Sequence, residues 1–131
     1  MATLWTPYVT LAISTSLYAT GDALGAKATF AGVPAHGTIL SVCVIDRDLE
    51  NVNLDLVLFK ADIAGTADNA AFDPTDTELQ DCIGVVLVDT WKTFADNGFG
   101  VETNIGLPYW APGGVITFQC VTRGAPTYAA T

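Results

Sequence analysis

The one histidine of this chain, His36, stands in Pro34-Ala35-His36-Gly37. Nucleophilic hydrolysis needs a base within reach of the attacking hydroxyl or thiol. A histidine between proline and glycine, just before a strand-like run, reads instead as a turn residue. No Gly-x-Ser-x-Gly, His-Glu-x-x-His or Gly-x-x-x-x-Gly-Lys pattern occurs, which leaves the corresponding hydrolase, zinc and phosphate chemistries without their residues. Asp46-Arg47-Asp48-Leu49-Glu50 is the best candidate for a cation. An EF-hand loop needs glycine at its sixth position and glutamate at its twelfth. Asn51 and Val57 stand there, so a solvated loop is the better reading than a calcium site. Paired carboxylates could hydrolyse a glycoside, but none of the 14 acids is singled out by its neighbours. The expectation is no catalytic residue, no metal and no cofactor.

The three cysteines, Cys43, Cys82 and Cys120, are odd in number and far apart. Each has apolar neighbours, so buried free thiols are expected. That fits synthesis in a reducing cytoplasm. The first twenty residues contain no Lys or Arg and are interrupted by Pro7, which argues against a secretory signal.

Composition then points towards binding. Half the residues are apolar and 15% are charged, against about 25% charged in average proteins. Neutral surface of this kind is often covered surface. The net charge of −9 disfavours nucleic acid and anionic membrane as partners, since both need a basic footprint. Charge is also unevenly placed. Only Asp22 and Lys27 are charged before Asp46, and only Arg123 after Glu102. The neutral ends read equally as buried strands or as contact surfaces, and the acidic middle as a solvent face.

The elements that must carry any site read as strands separated by turns. Thr38–Ile45 is β-branched and apolar, a candidate central strand. In Asn53–Lys60, Leu54, Leu56 and Leu58 alternate with Asp55, Val57 and Phe59, so the two sets face opposite ways. Asp46–Val52 suits a hairpin connection between these strands. Ile83–Asp89, Glu102–Leu107 and Val115–Thr122 are further strands, with Val9–Ile13 and Ala26–Phe30 weaker ones. Asp96-Asn97-Gly98 and Pro112-Gly113-Gly114 mark turns. Asp73 as N-cap with Pro74 behind it predicts a helix running to about Asp81. The expectation is an all-β fold, an antiparallel sandwich or barrel of about seven strands with one short helix. Residues 1–17 would form an N-terminal arm or first strand at a subunit interface, and 18–131 a single β domain.

Two sets of residues that include aromatics lie outside the strand cores. Leu4, Trp5, Pro7 and Tyr8 fall in the neutral N-terminus, and Tyr109-Trp110 stand between Pro108 and Pro112. These six residues are the candidate interface. Aromatics in such places serve as binding anchors.

The stretch Tyr18-Ala19-Thr20-Gly21-Asp22-Ala23-Leu24-Gly25 resembles the Y-x-x-G-D-x-x-G opening of small structural proteins of tailed bacteriophages. The likeness continues through Thr38–Val42, Ile45–Asp48, Leu54–Phe59, Asp68–Asp76 and Ile83–Val86, covering roughly Tyr18 to Val88. The family is that of capsid decoration, or cement, proteins. The resemblance implies a virion protein on the capsid exterior, made in the host cytoplasm. It would bind the major capsid protein and clamp neighbouring subunits, with a second copy of itself as a further partner. The first seventeen residues fall outside the pattern, and the family offers no active site to map. In that role Gly21 and Gly25 allow tight backbone turns. Asp22 orders the first by accepting backbone N–H bonds. The alternatives are a carbohydrate-binding β-sandwich module, with Trp91 and Trp110 exposed on one face, or a tail or fibre subunit.

Overall fold

The computed structural model describes residues 3–129. They form nine strands and one short helix, in the order β1 (Ala23–Ala31), β2 (His36–Ile39), β3 (Val42–Asp46), β4 (Leu54–Phe59), α1 (Asp76–Leu79), β5 (Cys82–Val88), β6 (Trp91–Thr93), β7 (Gly98–Glu102), β8 (Leu107–Trp110) and β9 (Val115–Thr122). All pairings are antiparallel. The fold is an all-β sandwich. One layer is a four-stranded sheet in the order β1-β9-β4-β5, and the other is made of the two-stranded sheet β2-β8 and the three-stranded sheet β3-β7-β6.

The period-two pattern explains the core. Leu54, Leu56 and Leu58 of β4 lie opposite Thr122, Cys120 and Phe118 of β9. The three leucines, Cys120 and Phe118, with Val86, Val88 and Ile116, fill the space between the layers. Phe30 of β1 stacks on Phe118 at 4.3 Å between ring centroids. The opposite face of β4 and β9 carries Val57, Phe59 and Val121. Ile63 and Phe72 cover them from the segment between β4 and β5. Val57 and Phe59 of β4 and Val121 of β9 are thus apolar on the outer face because that part of it is covered.

Several expectations change. The single strand Thr38–Ile45 is broken at Leu40-Ser41, and its halves β2 and β3 pair with different partners. The expected strand Glu102–Leu107 is mostly the loop between β7 and β8. Asn104 and Gly106 hold positive φ there, which extended pairing cannot accommodate. The two breaks meet, for Ile105 N–H donates to Leu40 O at 3.0 Å. Paired strands bend together, and the bend divides the second layer.

Asp46–Val52 is not a hairpin, because β3 belongs to the second layer and β4 to the first. Val9–Ile13 forms no strand, and β6 was not expected at all. The helix begins later than Asp73 implies. Thr75 is the N-cap and Glu78 completes a capping box with it, so the two side chains satisfy each other's end of the first turn. The helix then stops at Leu79.

The three cysteines are free, with Cys120 buried and the other two half-buried. Burial raises the Cys120 thiol to about 12. Among the described residues no helix is long and apolar enough to cross a membrane.

Candidate interaction surface

The N-terminal arm is the largest stretch without regular structure. Residues 3–17 contain no strand. Residues 1 and 2 of the expected arm, and 130 and 131 of the expected domain, lie outside the described residues. The arm runs back along β1. Thr6, Pro7 and Val9 face Thr29, Phe30 and Ala31 across a shallow groove of about 210 Å³. Further on, Leu11 packs over Gly25. No backbone–backbone hydrogen bond joins the arm to β1 among the described residues. The arm is laid on the sheet without being part of it. Leu4 is 56% exposed, Trp5 71% and Tyr8 63%. Pro7 is exposed as well. The first arm side chains packed against the core are Leu11 and Ile13.

What roots the arm is the Tyr18 motif. Tyr18 is fully buried. Its hydroxyl donates to Asp68 Oδ1 at 2.7 Å and accepts from Ser14 N–H at 2.8 Å. Burial first, and then the bond to Asp68, hold its phenol protonated well above the usual range. The same Asp68 Oδ1 accepts from Gly25 N–H at 2.8 Å. Tyr18 N–H also donates to Pro126 O at 3.0 Å.

Gly21 and Gly25 take φ of 95° and 81°. Asp22 Oδ2 accepts from Ala19 N–H at 2.9 Å, so it orders the turn as its residue type suggests. Gly25 lies in a bulge, where four steps along β1 from Leu24 to Ala28 face two along β9. Extra residues bend the strand and free backbone groups. Asp68 takes the Gly25 N–H, and Gln119 Nε2 donates to the Gly25 carbonyl at 3.1 Å. A Cβ at Gly25 would stand 3.2 Å from Leu11 Cβ. Gly25→Ala is therefore expected to cost about 1–3 kcal/mol, from left-handed strain and displacement of Leu11. A thermal melt checks it.

Asp68 and Gln119 were not singled out in the sequence, yet they hold this region together. Gln119 is completely buried. Besides Gly25 O, its amide donates to Thr66 O at 2.6 Å and accepts from Thr66 N–H at 3.1 Å. The only flag was a lone long polar side chain inside the apolar run of β9.

Tyr109 and Trp110 lie on β8, not in a loop, because both join the pairing with β2. Tyr109 is half-buried and donates its hydroxyl to Pro34 O at 3.1 Å. Trp110 is 60% exposed. Its ring lies under Lys60 Nζ, 5.9 Å from the centroid. Trp110 and the Pro7 region flank the same end of the sandwich, where β1 ends and β9 begins. His36 is exposed at the start of β2, opposite Trp110. Trp91 does not join Trp110 in a platform, since it packs against the core and over Gly100.

Within the neutral C-terminal stretch β9 is core, because it is central in its sheet and buried along most of its length, whereas Trp110 before it is exposed. Among the acids of the middle segment only Asp46 is buried. Its two oxygens accept from Asp48 N–H and Asn51 N–H at 2.9 and 2.7 Å, so it closes the loop leaving β3. Among the described residues no three His, Cys, Asp or Glu side chains converge as metal ligands. Comparison with protein-family models, curated proteins and solved structures finds no match to this chain.

Proposed function

We propose that this chain is a structural virion protein that binds the outer surface of a tailed-phage capsid and stabilises contacts between capsid subunits. The observation that supports it is the arm. It offers an uncharged, largely exposed segment with Leu4, Trp5 and Tyr8 free to be covered, rooted in the body by Tyr18. Exposed aromatics of this kind supply binding energy when desolvated. An extended segment can add to a neighbour's sheet through its own backbone groups, and among the described residues this arm spends none of those groups on its own β1. Many copies on one closed shell would multiply weak contacts. The partner is the major capsid protein, and the site of action is the capsid exterior.

Electron microscopy of particles from a phage encoding this chain, labelled with an antibody against it, tests the reading. Label distributed over the head exterior is expected. Label confined to the tail, or none on the particle, would overturn it.

A further inference from the structure

The main sheet has two edges, β1 and β5, and the fold treats them differently. The start of β1 is closed off. Ala23 N–H donates to Ala70 O at 2.8 Å, and Asn69 N–H donates to Ala23 O at 2.9 Å. Asp68 takes the Gly25 N–H at 2.8 Å. Further along, β1 carries its bulge, the charge of Lys27 and the arm beside residues 29–31. Sheets blunt an edge in these ways, because an unpaired strand is a template for another.

β5 has no such cover. It pairs with β4 on one side only. Among the described residues, no backbone group of residues 83–88 bonds to backbone outside that pairing. Gly84 O has one long contact, 3.7 Å from Cys82 Sγ. Cys82–Val88 contains no charge and no proline. Val86 and Val88 belong to the core, whereas Val85 is 56% exposed and Leu87 47%. β5 is also the longest uncharged run between Asp46 and Glu102, in a chain of net charge −9. Two copies repel over most of their surface, and along this strand they can meet with least repulsion.

The strand also fixes how they would meet. Residues 84–88 pair one for one with β4, and the register shift lies outside them. The midpoint of this regular run is Val86. An antiparallel pair of β5 strands with its twofold axis at Val86 sets Val85 of each copy opposite Leu87 of the other. The exposed apolar side chains then cover one another as cross-strand pairs. An axis at Val85 would set Asp81 against Asp89, and an axis at Leu87 would set Val85 against Asp89. We propose that two copies of this chain join edge to edge through β5, centred on Val86, so that two four-stranded sheets become one. Such a contact uses the same patch on both copies and closes at two. The regular run is only about 17 Å long. The interface is therefore smaller than the roughly 1,200 Å² of stable complexes. A weak dimer follows, with a dissociation constant between about 10 μM and 1 mM. The contact is independent of the capsid reading, since it uses neither the arm nor a particle.

Sedimentation velocity of the full chain up to about 1 mM tests it. A monomer–dimer equilibrium is expected, with β5 amides gaining protection from hydrogen exchange as the dimer forms. V85K/L87K sets like charges opposite one another and should weaken the dimer about tenfold or more. V85K/L87E sets the new lysine of each copy against the new glutamate of the other, and should dimerise at least as well as the unaltered chain. Only the register centred on Val86 separates these two variants in that way. Both side chains lie outside the core, so unchanged thermal melts of dilute protein confirm that the variants are folded. A chain that stays monomeric throughout overturns the proposal. So does association beyond two copies, a dimer with unprotected β5 amides, or equal behaviour of the two variants. A dimer lost on removal of Met1 to Tyr8 would assign β5 to the second copy's arm and overturn it as well.

Discussion

Removal of residues Met1 to Tyr8 is expected to lower affinity for the capsid surface by at least about a hundredfold while leaving the domain folded. Burying a large apolar side chain is worth about 1.5–3 kcal/mol. Covering Leu4, Trp5 and Tyr8 together would thus exceed the roughly 2.7 kcal/mol that a hundredfold represents. The body loses little. None of these three side chains belongs to the core, and the first to do so is Leu11. The Tyr18 root, with its bonds to Asp68 and Pro126, is untouched. The melting temperature should therefore move by no more than about 3 °C. Sedimentation of heads that lack the protein, mixed with full-length or shortened chain, measures occupancy directly. Full occupancy by the shortened chain would sink the arm as the binding element. Trp5→Ala alone should reproduce a large share of the defect, because one buried aromatic commonly dominates such a contact.

Gln119→Ala is expected to be the most damaging single change away from the apolar core, costing about 3–5 kcal/mol. The substitution leaves Gly25 O, Thr66 O and Thr66 N–H without their partner. Each buried polar group left unpaired costs about 1–3 kcal/mol. For a chain of this size the midpoint should fall by about 10–20 °C. Gln119→Glu separates the roles, since it keeps the acceptor and removes the donor. It should be nearly as harmful as alanine, because a buried carboxylate would face two carbonyl oxygens. Chemical denaturation of the three proteins checks the ranking. A loss under about 1 kcal/mol in the alanine variant would show that the network can rearrange or hydrate.

The sequence made the sheet core legible because its signal is local. The alternation of Leu54, Leu56 and Leu58 with Val57 and Phe59 survives in the fold, and β9 matches its expected span Val115–Thr122. Bends were hidden because their cause is not local. Thr38–Ile45 has the residues of one strand and breaks only because its partner chain turns at Asn104 and Gly106. β7 was masked by the glycines at its first and third positions, which weaken strand propensity but leave room for Asn51, Trp91 and Val88. Among the motif residues, Gly21, Asp22 and Gly25 announced their turns through residue type. Asp68 did not, since one acid among fourteen has no mark until the fold brings it to Tyr18. The arm's lack of a strand was not readable, since Val9–Ile13 carries a strand-like pattern yet forms none. Nor was its course along β1.

The position of β9 also bears on how the molecule is made. This last strand of the chain sits between β1, near the start, and β4. A ribosome must release β9 as well as β1 and β4 before the main sheet has its central member. Until then β1 has no neighbour, and Tyr18 lacks the Pro126 carbonyl that it needs. Pairings between such distant segments form slowly, and the waiting chain exposes open strand edges. A prematurely terminated product ending before Val115 should thus be unable to assemble the sheet at all. Such fragments would be left to chaperones and proteases and would not compete with finished copies for places on a partner.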